Sequence, residues 1–190
     1  MNRKFLALAI PNIAANLAAP ILGIVDTALM GHTEGLYMIG AIAIGSMIFN
    51  CLYWSFGFLR MGTTGITAQA AGAKDNHQCA ATLGRGFFTA LAIATIILTL
   101  QIPIKQLALY ITDNSSSDVQ LHAAYYFDTR IWAAPATLCI YALTGWFLGM
   151  QNSIIPLFLA IFSNICNIFL SFFFVKSLDM GTQGVALGTV

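Results

Sequence analysis

The chain has 190 residues, of which 58% are hydrophobic and 8% charged, and its mean hydropathy is +0.80. Soluble domains usually carry about 25% charged residues, so this composition excludes a soluble globular domain and predicts a polytopic membrane protein. The formal net charge of +1 leaves no basic stripe for phosphates, which argues against nucleic acid as a partner. The cysteines show no Cys-x-x-Cys spacing and are interpreted as small hydrophobic residues; they are Cys51, Cys79, Cys139 and Cys166.

The first predicted span covers residues 5–31 and contains one acid, Asp26. A carboxylate inside hydrocarbon costs roughly 3 kcal/mol on insertion scales, and such residues commonly mark pathways or relays. The alternative is an acid that joins helices by hydrogen bonds. Pro11 and Pro20 lie upstream on the same span, and each removes a helix hydrogen bond. We therefore expect a kinked, moving helix that carries a titratable group.

Further spans are predicted in chain order at 36–72, 81–110, 121–149 and 154–175, because a spanning helix needs about 20 mostly apolar residues. The second is unusually long and is interrupted by Arg60, Gly57, Gly62 and Gly65. Polar connections are predicted at 32–35, 74–78, 112–118 and 151–153. A sixth apolar run begins at residue 180, and we expect the chain to be a fragment or a truncated product. The predicted fold class is an all-α polytopic membrane protein with five full transmembrane helices and the start of a sixth.

Basic residues in the short loops predict the orientation of the chain. With the N-terminus inside, the cytoplasmic side carries Arg3, Lys4, Lys74 and Arg85. The outer side then carries Lys105 and Lys176. This bias predicts a cytoplasmic N-terminus.

Four polar residues fall at similar predicted depths below the outer surface. A rise of 1.5 Å per residue places Asp26 about 8 Å deep, Asn167 and Thr189 about 12 Å, and Ser171 about 6 Å. Asn167 and Ser171 are separated by four residues and face the same way on a helix. An acid with amide and hydroxyl partners can titrate, or can bind a hard cation such as Na⁺ through oxygens. Ordinary interhelical hydrogen bonding is the alternative.

Two arginines lie inside predicted spans. Arg60 is about 36 Å from the outer end of its span, so snorkelling at the cytoplasmic face is favoured over contact with a substrate. Arg130 lies about 15 Å deep, near Asp128 in sequence, and a charge paired within the bundle is the favoured interpretation. Arg130 and Tyr141 are the candidate residues of a substrate cavity.

Four collinear motifs carry a family resemblance over nearly the whole chain: VDTALMGH from residue 25, FGFLRMGTTGITAQAAGA from 56, GWFLGMQNSIIP from 145 and NICNIFLSFFFV from 164. Together they resemble the multidrug and toxic compound extrusion (MATE) family, and FLRMGTTG resembles its DNA-damage-inducible F branch. The resemblance implies the N-terminal lobe of a twelve-helix transporter, with residues 1–190 forming an incomplete lobe and the C-terminal lobe absent.

The resemblance also implies an antiporter that exports organic, often cationic, compounds in exchange for H⁺ or Na⁺, without another cofactor. Asp26 falls on the family's acid of the first span, and Pro11 on the proline whose kink responds to it. Asn167 matches the Asn that opens the family's N-x-x-x-D pattern in span five, and Thr189 matches a hydroxyl of span six in the same cavity. Asp26 and Asn167 are the expected Na⁺ ligands if sodium is the coupling ion. Ser171 stands where many members have Asp, which leaves the choice between H⁺ and Na⁺ open.

The expected location is a bacterial inner membrane, with drug-like small molecules, the bilayer and the missing lobe as partners. A lipid-linked precursor flippase of the same superfamily is an alternative, as is a truncated chain that is inactive without its second half. An enzyme is not expected, because the sequence shows no His-Glu-x-x-His motif and no nucleophile with an evident base.

Overall fold

The computed structural model describes residues 9–14, 17, 23, 25, 36–112, 116–178 and 180–190. Every regular element within these ranges is a helix, which confirms the all-α class. The elements are α1 (Leu36–Ser55), α2 (Gly57–Gly72), α3 (Asn76–Thr99), α4 (Gln101–Ile111), α5 (Ser117–Arg130), a 3₁₀ turn (Ile131–Ala133), α6 (Ala134–Gly149), α7 (Ile154–Ser177) and α8 (Gly181–Thr189).

Four helical segments in the described part of the chain are long and apolar enough to cross a membrane, namely Tyr37–Gly72, Asn76–Thr99, Ser117–Gly149 and Ile154–Ser177. They correspond to the second to fifth predicted spans. The first predicted span lies mostly outside the described residues, and with it Asp26 and Pro20. Pro11 falls within the helical residues 9–14.

The predicted third span was wrong at both ends. Its helix begins at Asn76, five residues earlier than expected, and ends at Thr99; residues 101–111 form the separate helix α4. Pro103 explains this break, because its ring clashes with the carbonyl group four residues earlier, which belongs to Thr99. Asp75 explains the early start: its Oδ1 accepts a hydrogen bond from the Gln78 N–H at 2.9 Å and caps α3.

The second and fourth spans are each interrupted once, near the middle. Between α1 and α2, Phe56 N–H donates to Tyr53 O and Leu59 N–H donates to Phe56 O, both at 3.0 Å, so the turn tightens at Phe56. The fourth span contains the 3₁₀ turn Ile131–Ala133 just before Pro135, which has no N–H to donate to a preceding carbonyl. Gly62 and Gly65, which were expected to interrupt the second span, lie inside α2.

The chain divides into two compact units, each assembled from separate stretches. Unit 1 contains the described residues of Met1–Ala19 together with Tyr53–Ile96 and Pro135–Phe162. Unit 2 contains the described residues of Pro20–Leu52, Ile97–Ala134 and Ser163–Val190.

Small residues bring the backbones of α2 and α6 together in unit 1. A Cβ atom at Gly145 would lie 2.5 Å from the Arg60 carbonyl oxygen, and one at Gly149 would lie 2.6 Å from Thr67 Cβ. Trp146 Nε1–H donates to the Cys79 carbonyl at 2.9 Å and joins α6 to α3. In a membrane, such close contact is a main source of helix association because lipid is as apolar as the side chains.

Aromatic rings form the core of unit 2. Phe49 on α1 stacks on Phe127 of α5 with ring centroids 5.2 Å apart, and Tyr126 meets the same ring edge-on at 6.4 Å. Phe49, Tyr126 and Phe127 are each about 1% exposed. Gly45 makes room for the Tyr126 ring, because a Cβ there would lie 2.9 Å from Tyr126 Cε1.

Candidate functional site

Asn167 and Ser171 form a buried polar pair on α7, in unit 2. Their exposed fractions are 8% and 1%, and the Ser171 hydroxyl donates to Asn167 Oδ1 at 3.3 Å. The spacing of four residues places both side chains on one face of the helix, as predicted. Placing a polar side chain inside an apolar span costs free energy unless the side chain has a partner. Here Asn167 and Ser171 are partners of each other and form a paired polar site in unit 2.

Helix α8 meets this pair at Gly188. A Cβ atom at position 188 would lie 2.7 Å from the Ser171 amide nitrogen and 2.9 Å from its Cα, so the two backbones touch. Thr189 follows directly, and its hydroxyl donates to the Val185 carbonyl of its own helix at 2.9 Å. Three of the four residues predicted to share a layer therefore lie at or next to one contact between α7 and α8. The fourth, Asp26, lies outside the described residues.

Arg130 has aromatic and hydroxyl partners. Its guanidinium donates to the Tyr126 hydroxyl and lies 5.2 Å from the Phe49 ring centroid and 5.4 Å from that of Tyr126. Cation–π contacts of this kind stabilise a partly desolvated charge. The interpretation of Arg130 as a charge paired within the bundle stays a prediction; the partners described here are one hydroxyl and two aromatic rings.

The carboxylate near Arg130 in sequence has a different partner. The Asp128 carboxylate forms a salt bridge with Lys105 Nζ at 2.8 Å, and this salt bridge joins α5 to α4. The sequence analysis missed this pair because the break before α4, which sets the direction of Lys105, was not predicted. The Arg130–Tyr126 contact was also missed, although its spacing of four residues is a readable helical signal.

The second candidate cavity residue, Tyr141, belongs to unit 1. It is partly buried on α6. Among the described residues, no group of three or more His, Cys, Asp or Glu side chains is placed to hold a metal ion. The Na⁺ ligand set of Asp26 and Asn167 stays a prediction.

A multi-pass helical bundle with tightly packed spans and a buried polar pair defines an integral membrane protein of the polytopic class. The chain belongs to the MatE family, whose model matches residues 11–173. It is 40% identical over 183 residues to DNA damage-inducible protein F of Escherichia coli (strain K12), which covers 96% of this chain and 40% of that relative. It is 23% identical over 195 residues to the probable multidrug resistance protein NorM of Thermotoga maritima, with 100% and 41% covered. The MATE resemblance is confirmed.

Solved structures share the fold. A crystal structure of MATE in the bent conformation superposes with a TM-score of 0.89 at 17% identity, over 99% of this chain and 42% of that one. An outward-facing multidrug resistance MATE family transporter of the MOP superfamily gives a TM-score of 0.88 at 19% identity, with 98% and 41% covered. The chain therefore spans about two fifths of the length of the relatives that it matches.

Proposed function

We propose that this chain is the N-terminal lobe of an ion-coupled efflux antiporter that exports organic, often cationic, compounds in exchange for H⁺ or Na⁺. Membership of the MatE family supports this proposal, as do relatives named as multidrug resistance proteins. The observation that carries it is the buried Asn167–Ser171 pair in contact with Gly188 of α8. The protein acts in a bacterial inner membrane with its N-terminus in the cytoplasm.

In this proposal Asp26 binds the coupling ion, and Asn167, Ser171 and Thr189 supply polar atoms beside it. The side chain of Ser171 is a hydroxyl, so it cannot share a proton with the Asp26 carboxylate as a second carboxylate would. Asp26 therefore carries the change of charge in this lobe. Ion loading can drive transport because a ligand that binds two conformations unequally shifts their populations. Pro11 and Pro20 provide the bend that connects the charge of Asp26 to the shape of the first helix.

In this scheme Arg130 borders the path of the exported compound, and Tyr141 stays a sequence-based candidate for it. A second lobe completes the cavity, because sites in repeat-built transporters form between the two halves.

The test begins with the intact mass of the protein purified from native membranes, which shows whether one polypeptide carries both lobes. Ion-driven dye efflux is then measured in proteoliposomes that contain that protein. We expect Asp26→Asn to abolish efflux while membrane insertion stays unchanged. Asp75→Asn is the matched control, because Asp75 is exposed and asparagine caps a helix as well as aspartate does. Unchanged efflux in Asp26→Asn at equal expression would remove Asp26 from the mechanism.

A further inference from the structure

A small open cavity of about 240 Å³ lies in unit 2, beside the first turns of α1 and α8 and the second and third turns of α5. Its lining includes Met38 near the start of α1, His122 and Tyr125 in α5, and Met180 with the first residues of α8. The cavity brings two thioethers and one imidazole to the same place. None of these side chains takes part in the proposed transport mechanism.

The imidazole of His122 is held in one tautomer. Its Nδ1 lies 3.1 Å from the Asp118 carbonyl oxygen. A carbonyl can only accept a hydrogen bond, so in the neutral ring Nδ1 carries the proton and Nε2 keeps its lone pair. This pattern, with one ring nitrogen donating to a backbone carbonyl, is the usual way in which proteins orient a histidine for a metal. The Tyr37 ring meets His122 edge-on at 5.3 Å and restricts its rotation.

The thioether of Met38 lies against the beginning of α8. It is 7% exposed, and its Sδ lies 3.7 Å from the position that a Cβ atom would occupy on Gly181. Gly181 has φ +53°, a left-handed conformation that favours glycine. Met180 precedes it directly and lines the same cavity. The two methionines therefore occupy neighbouring positions on the wall of one cavity.

We propose that Met38 Sδ, Met180 Sδ and His122 Nε2 form a site for a soft monovalent cation, Cu(I) or Ag(I). Thioether sulfur selects such ions, and imidazole completes the donor set. Hard cations such as Ca²⁺ and Mg²⁺ prefer oxygen ligands, whereas the donors of this site are thioether sulfur and imidazole nitrogen. A sphere of this volume is roughly 8 Å across, and methionine has three rotatable bonds with which to close on an ion.

The dipoles of α1 and α8 favour anions near the first residues of these helices, which restricts the kind of cation that this site can take. A doubly charged ion would meet this unfavourable field twice as strongly as a singly charged one. A soft monovalent ion is held mainly by electron donation from sulfur and nitrogen. The position of the cavity thus agrees with the donor set in favouring a singly charged, soft ion.

The experiment uses Ag(I) because it does not change oxidation state during a titration. Thiols would compete for it, so the four cysteines are first replaced by alanine and the protein is titrated with silver nitrate in chloride-free detergent. We expect one Ag⁺ per chain, with one nitrogen and two sulfur neighbours in its X-ray absorption spectrum. No binding to the cysteine-free protein would overturn the proposal.

Variants then assign the ligands. The double variant Met38→Leu, Met180→Leu conserves side-chain volume and should bind Ag⁺ at least tenfold more weakly, as should His122→Gln. Met47→Leu, Met61→Leu is the matched control, because both side chains are exposed, at 67% and 72%. Equal far-ultraviolet circular dichroism verifies that each variant is folded. Affinity unchanged in the first double variant, or lowered equally in the control, would contradict the assignment.

Discussion

The contact between α7 and α8 yields a quantitative prediction for Gly188→Ala. The new Cβ atom would lie 2.7 Å from the Ser171 amide nitrogen and 2.9 Å from its Cα, against an optimum for such atoms of about 3.5–4.0 Å. Because both are backbone atoms, the two helices must separate by roughly 1 Å, and overpacking of this kind costs up to about 3 kcal/mol. The greater helix preference of alanine returns at most about 1 kcal/mol. We expect a net loss of about 2 kcal/mol in the free energy of unfolding.

The measurement is equilibrium unfolding in mixed micelles with increasing sodium dodecyl sulfate, followed by tryptophan fluorescence. Gly65→Ala is the matched control, since in the described part of the chain no atom of another helix lies within 4 Å of its added Cβ, and it should be neutral or slightly stabilising. Equal stability of Gly188→Ala and Gly65→Ala would refute the close approach of α7 and α8.

Two more substitutions probe packing and charge separately. Gly149→Ala should destabilise unit 1 by about 1–3 kcal/mol, because its Cβ would lie 2.6 Å from Thr67 Cβ; a Gly149→Ala protein with unchanged unfolding would contradict the α2–α6 contact. Asp128→Asn removes the salt bridge to Lys105; the two side chains are 50% and 29% exposed, respectively. Solvent screens such a pair, so we expect a loss of about 0–1 kcal/mol that shrinks in high salt. Thermal unfolding midpoints at two salt concentrations check this, and a larger loss that does not depend on salt would be inconsistent with a screened pair.

The spanning helices were predictable because apolar length alone identifies them, as Ile154–Ser177 shows by beginning at the predicted residue. Helix ends were less predictable because they depend on single residues. Pro103 was readable as a breaker and was overlooked, since the apolar pattern continues past it to the next helix. Asp75 was likewise readable as a cap, yet its polarity suggested a loop.

The features of the candidate site were likewise predictable only in part. The spacing of Asn167 and Ser171 is enough to predict their shared face, because the periodicity of a helix follows from residue number alone. The approach of Gly188 to Ser171 depends on how α7 and α8 pack, and glycine content does not reveal which glycine touches which backbone. The contact of Arg130 with Phe49 was missed for a similar reason, because Phe49 lies far away in sequence, on another helix.

The two units are assembled from stretches that alternate along the chain, and this order has a consequence for how the protein is synthesised. The last stretch of unit 1 ends at Phe162, whereas unit 2 requires residues up to Val190. Proteins are synthesised from the amino end, at roughly 5–20 residues per second. A nascent chain therefore holds every stretch of unit 1 before α7 is finished, while the earlier stretches of unit 2 wait for Ser171 and Gly188 to be synthesised. During that interval the described earlier stretches of unit 2 lack the contacts that α7 and α8 supply.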